Sequence, residues 1–163
     1  MAGRRCRLMA PTLQARTDEN MAEATAPPLR LLALDEDDLS VISAAVQDAI
    51  GKVGDIQYEA RTRRLTVMLN RFQWERGGGA RVRAALQFGS VLKVQARRIR
   101  RAAPDAVLEL LALTFEPGEA PSGVVVLSFA GGGDLRAEVE CIDAVLADVS
   151  SPWPTPRTPT HDL

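Results

Sequence analysis

The chain is poor in the residues on which most catalytic sites are built. Of its 163 residues one is histidine, His161, and two are cysteine, Cys6 and Cys141. A single histidine, in the expected tail, leaves no Ser-His-Asp or Cys-His arrangement inside a folded domain. Two cysteines and one histidine cannot supply the four ligands of a structural zinc site. A disulfide framework is equally excluded, so a reducing, cytoplasmic setting fits, and Cys141, in an apolar stretch, reads as a small buried hydrophobe. Seven aromatics in the whole chain, with an isoelectric point near 5.9, argue against a protein that stacks on single-stranded nucleic acid. No apolar run approaches the roughly 20 residues that cross a bilayer, which argues against a membrane role.

What is present suits one soluble domain: 46% hydrophobic residues, 25% charged residues and a net charge of -1. Residues 1–28 lack apolar periodicity and end in Ala-Pro-Pro, so they read as a disordered leader, with Met21 as an alternative start. They resemble no secretory signal. Residues 151–163 hold Pro152, Pro154, Pro156 and Pro159 and read as a proline-rich disordered tail. The folded unit expected between them is residues 29–150.

Within it "LRLLAL" (29–34) predicts a strand and "DEDDLSVISAAVQDAI" (35–50) a helix capped by Asp35 and ended by Gly51 and Gly54. The hydrophobic period then changes from 3.6 to 2. Ile56, Tyr58 and Ala60, the turn "RTRR", and Leu65, Val67 and Leu69 predict an antiparallel hairpin. Val82, Ala84, Leu86, Phe88, Leu92, Val94 and Ala96 all carry even numbers, which predicts one apolar face running through a bend at Gly89. Strands follow at 106–115, 123–129 and 135–140, and Val139, Ile142, Val145, Leu146 and Val149 trace a helical stripe over 138–149. The expected fold is α+β: a curved antiparallel sheet of six to seven strands, one helix near its start and one at its end. That outline is similar to a pleckstrin-homology-like barrel.

Charge is segregated along the chain. Residues 52–101 hold thirteen basic side chains and three acids, and residues 102–150 hold one basic side chain and nine acids. Paired across strands, the two halves would neutralise each other. Gathered in loops, Arg61, Arg63 and Arg64, Arg76, Arg81 and Arg83, and Arg97, Arg98, Arg100 and Arg101 would form an anion site, since guanidinium forks suit phosphate and carboxylate. "WERGGGARVR" (74–83) lacks the pattern of a phosphate loop and reads as a strand connection. The acids Asp35–Asp38 read as helix cap, Glu138 and Glu140 as a solvated edge, and Phe72 and Trp74 as core anchors. No catalytic, cofactor-binding or metal-ligating residue is singled out, and no cofactor is expected.

The stretches "LRLLALDEDDLSVISAAVQDAIGKVGDIQY" (29–58), "LNRFQWE" (69–75) and "LELLALTFE" (108–116) resemble a family of alphaproteobacterial proteins labelled domain of unknown function 2948. The resemblance implies a bacterial, cytoplasmic single-domain protein and carries no catalytic residues. The functional expectation is a non-catalytic module that engages a protein partner, a second copy of itself, or a ligand. The alternative is an anion or nucleic-acid binder acting through the arginine loops, and a carboxylate-based enzyme is the third option.

Overall fold

The computed structural model describes residues 27–77, 79–156 and 159. The expected leader up to Ala26, the alternative start at Met21, Cys6 and His161 lie outside the described residues. The chain opens as predicted, with β1 (Arg30–Ala33) followed by α1 (Glu36–Ala45). Asp35, extended at φ -145°, accepts the Asp38 N–H at 2.8 Å, and Glu36, Asp37 and Asp38 occupy the positive end of the helix dipole. Leu39 and Ile42 are buried, and α1 packs against β1 and β7.

The helix is shorter than the sequence suggests. It ends at Ala45, Asp48 adopts the left-handed backbone at φ 60°, and Ala49–Lys52 form β2. Ala45, Val46 and Ala49 satisfy helical spacing, but the last of them begins a strand. Gly51, expected to stop a helix, lies inside β2, where an added Cβ would stand 2.9 Å from the Met68 carbonyl oxygen. The close approach of two strands requires its missing side chain.

A 3-10 turn (Val53–Asp55) leads into the predicted hairpin, β3 (Ile56–Glu59) and β4 (Arg64–Phe72). Leu65, Val67, Leu69 and Arg71 share its buried face. Then come β5 (Ala80–Phe88), β6 (Val91–Arg97), β7 (Val107–Pro117), β8 (Gly123–Phe129), β9 (Asp134–Val139), β10 (Ala144–Asp148) and β11 (Trp153–Pro154). The β8–β9 turn uses Gly131 and Gly132 at φ 87° and 89°, a backbone open to glycine.

Two expectations fail here. The stripe over 138–149 is not a helix: Val139 ends β9 and 144–148 form β10, paired with β1 on one side and β5 on the other. Ala144 and Leu146 are buried while Val145 and Ala147 are half-buried, the signature of an interior strand, and a short apolar run of this kind satisfies helical and strand periods alike. The sheet is also larger than six to seven strands, with eleven among the described residues. Its order is β1-β10-β5-β4-β2-β7-β8-β9-β6, with β3 on β4 and β11 on β5. It is an open, antiparallel sheet accompanied by one helix, so the likeness to a helix-capped pleckstrin-homology-like barrel falls away.

The even-numbered face survives through β5, where Val82, Ala84, Leu86 and Phe88 are all buried. Beyond Ser90, at φ 55°, a register shift between Val91 and Lys93 turns Val91 into the core and leaves Leu92 half exposed to solvent. Val94 and Ala96 return to the inner face, half-buried. The bend is a break between two strands that pair with different neighbours, β5 with β4 and β10, and β6 with β9.

Candidate ligand-binding cavities

The arginines of the proposed anion site take different roles. Arg63 pairs with Glu140 at 2.8 Å, Arg83 with Asp55 at 3.3 Å and Arg97 with Asp134 at 3.1 Å. Register sets Lys93 opposite Glu138 and Arg97 opposite Asp134, so β6 and β9 bring the basic half of the chain against the acidic half. Arg136, the single base of the acidic half, pairs with Glu116 on β7, which holds the Glu116 carboxyl below its ordinary range. Arg81 donates to the Asn70 carbonyl and lies over the Phe72 ring, and burial lowers its pKa against the pull of Asp48 and Glu109. Phe72 is buried as expected, whereas Trp74 is half-buried in a 3-10 turn and packs against Phe72 with the rings tilted at 59° and centroids 4.6 Å apart.

The arginine groups sit at different strand ends. The Arg61–Arg64 turn touches the start of β6, where Val91 N–H donates to the Arg63 carbonyl, while Arg97–Arg101 follow the end of the same strand. A seven-residue strand separates the two groups by about 20 Å. Arg76 and Arg81 lie by the far end of β4 from Arg64. The side chains of Arg61, Arg64, Arg98, Arg100 and Arg101 have no ion pair or hydrogen bond with any described residue.

A polar cluster that the sequence reading passed over sits at the end of β4. Arg71 has no solvent exposure. Its Nε and Nη2 donate to the two oxygens of Asp148, both at 2.8 Å, while Nη1 and Nη2 donate to Glu75 at 3.1 and 2.7 Å. Asp148, whose side chain is 3% exposed, also accepts the Leu29 N–H at 3.1 Å. Burial disfavours the guanidinium charge, but the bonds to Asp148 and Glu75 outweigh it and raise the Arg71 pKa. The cluster ties β4, β10 and the entry to β1 together.

The bond from Arg71 also holds the Glu75 carboxyl below its ordinary range. A carboxylate with a depressed folded-state pKa adds stability above its unfolded value, about 4.3, and loses it as pH falls through the lower folded value. Stability measured by urea unfolding should therefore decline on acidification below about pH 4.3, and Glu75→Gln should flatten that decline. An unchanged slope in the variant would remove Glu75 from the cluster.

Two surface cavities formed by described residues bear on function. The first, about 540 Å³, lies against the Arg71 cluster and is walled by Pro27, Pro28, Val82, Val149, Ser151 and Pro152. Two polar groups at its edge are committed to the fold: Asp148 to Arg71 and Leu29, and Ser150 Oγ to the Arg83 N–H at 2.9 Å.

The second, about 450 Å³, lies between β3 and β6. Ile56 and Tyr58 come from β3, Val94 and Ala96 from β6, Ile99 and Arg101 from the loop after it, and Leu135 from β9. The two strands do not pair with each other: β3 bonds to β4 and β6 to β9. At one end the gap is tied by Val91 N–H to Arg63 O at 2.9 Å and by Tyr58 O–H to Val91 O at 2.8 Å. At the other end Val53 N–H and Gly54 N–H donate to the carbonyls of Ala106 and Pro104, at 3.0 and 2.9 Å. Between these ties lies an apolar recess of a size typical of small-molecule sites.

A family model described as "Protein of unknown function (DUF2948)" matches residues 29–161. The chain belongs to that family. The match spans both cavities' walls from Leu29 onward and the Arg71 cluster. No curated protein and no solved structure matches the chain. Among the described residues no group of three or more His, Cys, Asp or Glu side chains is placed to hold a metal ion, and no helix is long and apolar enough to cross a membrane.

Proposed function

We propose that this domain is a non-catalytic binding module whose ligand enters the recess between β3 and β6. The observation that carries the reading is the gap itself: two neighbouring strands leave their facing edges unpaired around an apolar recess of about 450 Å³. Apolar side chains left in such a recess lose both water exclusion and packing partners, a cost that a ligand with an apolar body removes. Ion pairing between the basic and acidic halves favours this site over a broad polyanion surface, because Arg63, Arg83 and Arg97 are already neutralised. A bacterial and cytoplasmic setting belongs to the same proposal; the free thiol of Cys141, half-buried, supports it.

Nile red, an uncharged apolar dye, tests the recess. Its fluorescence should rise saturably with the wild-type chain, and Ala96→Trp, which places an indole in the gap, should abolish the rise while the unfolding midpoint stays near that of the wild type. Undiminished dye binding by the folded variant would contradict the proposal.

A further inference from the structure

We infer that the ligand of the recess is a monomeric amphiphile with one anionic head, a carboxylate at the end of an aliphatic chain, the head held by Arg101. This rests on the proposed binding reading and adds the ligand's class. The lining separates into two parts. Ile56, Val94, Ala96, Ile99 and Leu135 offer hydrocarbon, whereas Arg101 is the one charged residue among the described residues of the lining.

Arg101 has the properties such a head requires. Its side chain is exposed and has no ion pair or hydrogen bond with any described residue. Arg98 and Arg100, in the same loop, are likewise exposed and without a side-chain ion pair or hydrogen bond to any described residue, but of the three only Arg101 borders the recess. The nearest acids in sequence and register are engaged elsewhere: Asp134 with Arg97 at 3.1 Å and Asp105 with Lys52 at 3.7 Å. On β6 and β9, Arg97 and Arg136 hold carboxylates in ion pairs and Lys93 stands in register with Glu138. At the mouth of the recess a carboxylate must come from outside, and a guanidinium fork receives one in two parallel hydrogen bonds.

A cation among apolar walls also discriminates. An uncharged chain of equal length fills the same hydrocarbon region but leaves Arg101 solvated, and a cationic one meets the like charge of Arg101. A bilayer surface would present many heads to the exposed loop, yet the recess lies between two strands and suits one chain at a time.

Calorimetric titration of the full-length chain with decanoate, decanol and phosphatidylglycerol vesicles, the first two below their self-association concentrations, tests the inference. Decanoate should bind about tenfold more tightly than decanol. Arg101→Gln, an exposed substitution, should bring decanoate down to the decanol value and leave decanol unchanged. Equal binding of the two, or an Arg101→Gln variant that keeps the preference, overturns the anionic head and leaves the recess as an apolar site. Binding to neither overturns the recess itself, and binding to vesicles with none to decanoate overturns the monomeric amphiphile.

Discussion

Replacing Arg71 with methionine should lower the unfolding free energy by about 3–5 kcal/mol, the cost of leaving buried carboxylate charge without its partner. Asp148 would then retain the Leu29 N–H alone, at 3% side-chain exposure, with both of its short guanidinium bonds gone. Equilibrium urea unfolding measures the loss directly. The comparison that identifies its origin is the double variant Arg71→Met/Asp148→Leu, which removes both charges together and should recover a large part of the stability, since an apolar pair can replace a buried ion pair at little net cost. A single variant within about 0.5 kcal/mol of the wild type would mean that Arg71 is solvated and the cluster is not formed.

The second large effect separates the two halves of the even-numbered apolar run. Phe88→Ala should cost about 3–5 kcal/mol, because the ring is fully buried in the core and its removal leaves a cavity. Leu92→Ala should change stability by less than about 0.5 kcal/mol, because half of that side chain already faces water and the neighbouring register shift has turned it outward. Similar losses at both positions would restore a single continuous apolar face and contradict the break after Ser90.

These two residues show where sequence periodicity carries information and where it stops. Alternation identified β3, β4, β5 and the inner faces of β4 and β5, since a strand with one buried face must repeat every second residue. It failed at β2 and β10 for a physical reason. Both are short, apolar on neighbouring positions and paired on both sides, so helix and strand spacings are satisfied together until the pairing partners are known. A local bulge is equally invisible, because nothing in "FGSVLKV" marks Val91 instead of Leu92 as the inward residue.

The Arg71 cluster was legible in part. Leu65, Val67, Leu69 and Arg71 share one parity, and a guanidinium on the apolar face of a strand announces a buried partner. The partner, Asp148, lies 77 residues away and no local pattern points to it. The recess was not legible at all. Its walls come from 53–58, 94–104 and 135, and it exists because two strands adjacent in space do not pair. The charge segregation was real in the sequence, but its meaning depended on register: the paired arginines serve the fold, and the β3–β4 turn and the loop after β6 keep those without a partner among the described residues.

The most direct test of the account is methyl NMR of the wild-type chain titrated with decanoate. Shift changes should concentrate at Ile56, Val94, Ile99 and Leu135, the side chains that line the gap between β3 and β6. Changes centred on Val82 and Val149 would move the site to the cavity beside Arg71, and no saturable change at any methyl would contradict a ligand-binding recess in this fold.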